Sequence, residues 1–208
     1  MQAAEPVRTR INSGNDESKP LIVNLWEMYK IEKMSTKLPT RLAYDSWMRN
    51  HVLPRWGQTP ITSLQPRSVE LWLKGLPLAP KSRVHIRGLM SQLYDFAQWA
   101  GITSTTERNP ISLVKVEHAT RRRKPRSLTV EEFQKVLIHL KEPLRSMAIL
   151  AVSLGLRASE VLALMWRHVD WLNSKLSVEQ RIYRQHVDDT KTRSSSAELD
   201  LDPSVLQY

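Results

Sequence analysis

The stretch Leu154-Gly155-Leu156-Arg157-Ala158-Ser159-Glu160-Val161-Leu162-Ala163-Leu164, with Trp166, Asp170 and Trp171 close behind, decides how this chain is read. Ahead of it, Leu144 to Leu154 is almost continuously apolar, the composition of a helix buried on most sides. Gly155 suits the end of that helix, because a residue without a Cβ enters the left-handed conformation of a helix C-terminus at little cost. A short helix over about Ser159 to Met165 is expected next. Arg157 therefore stands in the turn between two helices, charged at any useful pH, with a planar fork of donors able to hold two oxygens of a phosphodiester. Taken alone, the same arginine is equally explained as a structural group that pairs with Glu160 or caps a carbonyl.

Toward the C-terminus the hydrophobic period shifts to two, and Lys175–Val178, Gln180–Tyr183 and Glu198–Leu201 read as strands of a small antiparallel sheet. Toward the N-terminus, Thr129 is an expected N-cap with Glu132 at the capping-box position, and Leu128 and Phe133 are spaced to staple across the first turn. That helix should stop before Pro143. Residues 105–126 read as a basic interdomain linker: within Lys115 to Arg126 stand Arg121, Arg122, Arg123, Lys124 and Arg126, with one acid, Glu117.

Residues 19–104 carry helical periodicity. One helix starts behind Pro20, with Leu21, Leu25 and Met28 on one face joined by Ile22 and Tyr29. A second runs from about Thr40 and should stop before Pro54, since proline disfavours helix at the residue before it. A third follows Pro66 and ends at Gly75 as a left-handed cap. The fourth spans Pro80 to Ala100, with Ile86, Leu89, Met90, Leu93, Ala97 and Ala100 as its apolar stripe and Gly101 as the stop. Trp26, Trp47, Trp72 and Trp99 fall at spacings that point to the core. Residues 1–18 read as a flexible polar tail. The fold class is mainly α: an N-terminal four-helix bundle over 19–104, the basic linker over 105–126, and an α+β domain with a small antiparallel sheet over 127–208.

The 208 residues carry a net charge of +10 and a pI of about 10.0. Residues 1–126 hold 21 Lys and Arg against 10 Asp and Glu, whereas residues 127–208 hold 10 against 11, so the positive charge sits in the first part. Such a balance favours a densely anionic partner, of which nucleic acid is the commonest. The absence of cysteine excludes disulfides, zinc fingers and thiol nucleophiles. No apolar run reaches the length of a membrane span, and Glu5, Asp16 and Glu17 are unlike a signal peptide, so a cytoplasmic location is expected. On the second and fourth helices Arg41, Arg49, Arg83 and Arg87 avoid the apolar stripes, with Lys81 at the start of the fourth, so this face is expected to meet backbone phosphates together with Arg121, Arg122, Arg123, Lys124 and Arg126. An ordinary solvated face is the alternative for any one of them.

The arginine stretch resembles the first active-site arginine box of phage integrases, the tyrosine recombinases. His51-Val52-Leu53-Pro54-Arg55-Trp56-Gly57, Leu78-Ala79-Pro80-Lys81-Ser82 and Asn109-Pro110 are similar to the core-binding domain of that family, and Leu128-Thr129-Val130-Glu131-Glu132 to the start of its catalytic domain; together these cover about residues 19 to 202. The resemblance implies a DNA-binding protein of site-specific recombination and integration, with double-stranded DNA of attachment type and further recombinase protomers as partners, and no cofactor or metal. It makes Arg157 a catalytic position. It also points to Lys191 within Asp189-Thr190-Lys191-Thr192-Arg193-Ser194-Ser195-Ser196 as the family's hairpin lysine, a general acid for the departing 5′ oxygen. An exposed loop lysine without a role is the competing reading, and Ala197 and Glu198 stand where the family often has an arginine. The family's His-x-x-Arg box and nucleophilic tyrosine lie downstream of that hairpin; the expectation is that this chain holds no His-x-x-Arg anywhere, and Tyr208 is not expected to be the nucleophile. The expectation is a C-terminally truncated form that does not cleave DNA alone and leaves apolar surface exposed in its second module. The alternative is a non-enzymatic basic helical DNA-binding regulator whose second module serves oligomerisation.

Overall fold

A computed structural model describes residues 20–116, 126–189 and 197–202. The chain divides into two compact units, Met1–Lys124 and Pro125–Tyr208.

In the first unit, α1 (Ile22–Glu32) begins one residue later than its proline suggests. Leu21 is the extended N-cap, and the Pro20 carbonyl accepts from the Ile61 N–H at 3.3 Å, so the proline tethers the chain ahead of the helix. α2 (Leu38–Trp47) takes Pro39 into its first turn. It does not stop before Pro54. A π-turn over Met48–Val52 leads directly into α3 (Leu53–Trp56), with the Leu53 N–H bonded back to the Met48 carbonyl. The wider π-turn loosens the coil just where the proline ring would meet the preceding turn, which lets the helix continue through it.

α4 (Pro66–Gly75) ends differently from the expectation: Gly75 is its last helical residue, and Leu76 turns the chain out in an extended conformation. α5 (Pro80–Trp99) ends as read, on Gly101 at φ +73°, with the Ile102 and Thr103 N–H groups returning to the Ala97 carbonyl at 2.8 and 3.3 Å. Ile86, Leu89, Met90, Leu93 and Ala97 are all buried and form the centre of the core with Leu25, Trp26, Met48, Val52 and Leu73. Trp47 and Trp72 pack against that core half-buried. Trp99 departs from its core assignment at 59% exposure: it falls off the buried stripe of α5, stacks on Phe96 and lies under the Lys33 ammonium at 4.1 Å.

The linker expected from residue 105 begins later, because hydrophobic burial fastens the chain to the first unit as far as Val114. Ile111 and Val114 are 0% and 1% exposed within the first core. Asn109 holds this segment to α5: its amide nitrogen donates to the Ser91 carbonyl (3.1 Å), Ser91 Oγ (3.0 Å) and Asp95 Oδ1 (2.7 Å), and its Oδ1 accepts from the Ile111 N–H (2.9 Å).

The second unit opens on α6 (Val130–His139), whose capping box is realised: Thr129 Oγ1 accepts from the Glu132 N–H at 3.2 Å and Glu132 Oε2 from the Thr129 N–H at 3.0 Å. Leu128, placed to staple, stays 59% exposed. α7 (Leu144–Leu154) ends on Gly155 at φ +67°. Its expected burial on most sides is not found: Ile149 is its buried residue, while Leu144 and Val152 are 57% and 60% exposed. α8 (Ala158–Val161) is a single turn, shorter than expected, followed by a 3-10 turn over Trp166–His168.

β1 (Val169–Asp170), β2 (Lys175–Val178) and β5 (Ala197–Asp200) form an antiparallel sheet in the order β1-β2-β5, with Leu176 opposite both Val169 and Leu199. β3 (Gln180–Tyr183) and β4 (His186–Asp189) make a separate hairpin. Leu176, Val178 and Leu201 are the buried centre of this unit, with Leu154, Leu156 and Leu164 packed on them. Beside it lies a largely apolar cavity of about 610 Å³ bordered by Ile149, Val161, Met165, Trp166, Trp171 and Leu201 among others.

Candidate arginine site and nucleic-acid interface

Arg157 is the extended N-cap of α8, set there by the left-handed turn at Gly155. Its backbone N–H donates to Glu160 Oε2 at 2.9 Å and its Nη1 to Glu160 Oε1 at 2.8 Å. One carboxylate thus caps the helix start and holds the guanidinium of the same residue. The two side chains differ in environment, Arg157 being 61% exposed and Glu160 5%. Burial works to raise the proton affinity of Glu160, but the N–H and guanidinium of Arg157, with the charges of Arg157 and Arg181, outweigh it and leave the carboxyl below its ordinary range. The pairing that was an alternative to a chemical role is therefore present, and it holds in place a guanidinium that remains largely exposed.

Arg181 was not anticipated. It sits directly opposite Asp188 in the β3–β4 register and pairs with it at 2.8 Å, its side chain only 15% exposed. No sequence signal marked it, because His186–Asp189 was not read as a strand and the cross-strand partner was therefore unknown. Gln180 links the hairpin to the turn that follows α8 through a 3.0 Å bond to the Ala163 carbonyl. Lys191, the other expected catalytic position, lies outside the described residues, as do Tyr208 and Arg121, Arg122, Arg123 and Lys124. The chain does spell one His-x-x-Arg, at His118-Ala119-Thr120-Arg121, but ahead of the arginine box and outside the described residues.

The basic residues of the first unit separate into two kinds. Arg41, Arg49 and Lys81 are exposed. Arg83 and Arg87, assigned to the same DNA-facing set, are instead spent partly on the fold: Arg83 Nη2 donates to the Leu76 carbonyl at 2.7 Å and Arg87 Nη1 to the Val114 carbonyl at 3.0 Å, and both are half-buried. Each long side chain reaches a carbonyl that its helix face happens to overlook, the Leu76 carbonyl accepting also from the Leu78 N–H at 2.8 Å, and periodicity does not reveal either contact. Arg126 is exposed and pairs with Glu132.

The sequence matches no protein-family model and no curated protein. Solved structures do match. The Tn1549 transposon integrase in complex with transposon right end DNA superposes at a TM-score of 0.73 with 20% identity, over 90% of this chain and 63% of that one. A lambda integrase dimer bound to a COC′ core site gives 0.67 with 19% identity over 94% and 52%, and a lambda integrase tetramer bound to a Holliday junction 0.67 with 19% over 95% and 54%. The chain has the tyrosine recombinase, or phage integrase, fold, and it spans less than two thirds of the integrase chains it matches.

Proposed function

We propose that this chain is a DNA-binding protein of site-specific recombination and integration, acting on double-stranded DNA of attachment type together with other recombinase protomers in the cytoplasm. The observation that carries the reading is Arg157: an exposed guanidinium held by a buried carboxylate, at the turn where the resemblance expects the first phosphate-binding arginine. A preorganised, permanently charged fork suits two oxygens of a phosphodiester and needs no cofactor or metal to do so. The exposed Arg41, Arg49 and Lys81 support backbone contact by the first unit, where the net positive charge lies.

In this reading Arg157 and Lys191 are catalytic positions, Arg157 neutralising the transition-state phosphate and Lys191 protonating the 5′ oxygen. Binding is assigned to these 208 residues; strand cleavage by them alone is not, because a single arginine gives half of the family's phosphate clamp and losing one such stabiliser commonly costs about 10²–10³ in rate. The test is an electrophoretic shift of labelled duplex DNA with a suicide-nicked substrate, read also on a denaturing gel. A salt-sensitive shift without a covalent adduct supports the proposal. No shift at low salt overturns it, and an adduct overturns the assignment of cleavage.

A further inference from the structure

One peptide group near the start of the linker is held at both of its polar atoms. The carbonyl of Val114 accepts from Arg87 Nη1 at 3.0 Å, and the N–H of the next residue, Lys115, donates to Glu70 Oε2 at 2.9 Å. The two atoms belong to a single peptide plane, whereas the side chains that hold them carry opposite charges and come from different helices, Glu70 from α4 and Arg87 from α5. Lys74, one turn on from Glu70, braces the other carboxylate oxygen at 3.2 Å. The bond from the Lys115 N–H, ahead of that from Lys74, keeps the Glu70 carboxyl below its ordinary range. Burial pins the chain on either side, Val114 at 1% exposure and Val116 packed half-buried against the same core. Lys115 between them is exposed, so water could satisfy its N–H, and an ionised partner there is more than hydrogen-bond satisfaction requires.

We propose that Glu70 is a positioning residue: together with Arg87 it grips the Val114–Lys115 peptide from two helices and fixes the direction in which the chain leaves the core of the first unit towards its basic linker. A peptide bonded at one atom can still swing about that bond. Charged partners at both C=O and N–H fix the plane, and a rigid plane sets the course of the chain beyond it. The value for binding rests on the proposed contact of duplex DNA by Arg121, Arg122, Arg123 and Lys124, which follow in sequence. Cations delivered from a fixed exit lose less freedom on reaching phosphates than cations on a loose strand, and so bind more tightly.

The test compares the full chain with Glu70→Ala and Glu70→Gln, which share one net charge and differ in whether an acceptor remains for the Lys115 N–H. In Glu70→Ala the Lys115 amide is expected to exchange about tenfold faster relative to the Leu93 amide of α5, and in Glu70→Gln by less. In anisotropy titrations of labelled duplex DNA, Glu70→Ala is expected to bind about threefold more weakly than wild type, with Glu70→Gln recovering part of the loss. Charge alone predicts the opposite sign, since deleting a carboxylate makes the protein more positive and tightens its hold on phosphates. Unchanged relative exchange in Glu70→Ala overturns the clamp, and faster exchange with binding as tight as wild type or tighter overturns the positioning role. Failure of wild type to bind duplex DNA would overturn the DNA-binding reading and the role that rests on it, while the exchange result would still report on the clamp.

Discussion

Arg157 and Glu160 are joined twice, the backbone N–H and the guanidinium of the arginine both donating to one buried carboxylate at 2.9 and 2.8 Å. A charged group that caps a helix and orients its own cap residue makes the local fold and the proposed chemistry depend on the same proton. Replacing Glu160 with Gln keeps the shape, removes the charge and weakens both bonds, at a cost of about 2 kcal/mol. Thermal unfolding at neutral pH measures it, and an unchanged melting temperature would contradict the assignment.

The same pair predicts a pH dependence. Glu160 has a lower proton affinity in the fold than its ordinary value of 4.5, so its ionised form contributes stability that is complete above that value. The contribution disappears as pH falls through the lower folded value. Melting temperatures of wild type and Glu160→Gln are expected to differ most near neutrality and to converge below pH 4.5. A constant gap down to the most acidic pH would contradict it.

The three exposed cations and the two engaged ones should behave oppositely. Arg41→Ala, Arg49→Ala and Lys81→Ala are each expected to weaken duplex binding without regard to sequence and to reduce the slope of log affinity against log salt by about one. Arg87→Ala removes the side-chain donor of the Val114 carbonyl and Arg83→Ala one of the two donors of the Leu76 carbonyl, which keeps the Leu78 N–H, and the two are expected to lower stability by about 1–2 and about 1 kcal/mol respectively. Parallel titrations and melts of the five variants separate the two groups.

Asn109 spends its whole side-chain amide on fastening the segment that carries Ile111 and Val114 to α5. Asn109→Ala is expected to cost the first unit about 2 kcal/mol, through lost bonds and an Ile111 N–H left buried without its acceptor. Denaturant unfolding followed by tryptophan fluorescence reads it, since Trp26 and Trp56 lie in the same core.

Much of this architecture was legible in the sequence because the signals were local. The capping box at Thr129 and the left-handed stops at Gly101 and Gly155 are properties of a few adjacent residues, and each appears where it was read. The stripe of α5 is likewise local, a period repeated along one helix. The departures come from interactions that sequence distance hides. The chain passes Pro54 because a π-turn opens just before it, and Arg83 and Arg87 turn inward toward carbonyls that lie 7 and 27 residues away. Arg157 could be singled out from its surroundings, but the Arg181–Asp188 pair depends on a strand pairing that a weak period-two pattern did not define.

The measurement closest to the central claim is a fluorescence anisotropy titration of labelled duplex DNA with the full chain and with Arg157→Ala, over a series of salt concentrations. The account predicts salt-dependent binding by wild type, with Arg157→Ala weaker, its salt slope reduced by about one and its fold intact by circular dichroism. Identical affinities and slopes for the two proteins would mean that Arg157 serves the helix cap alone, and would contradict the claim that its guanidinium is held for a phosphate.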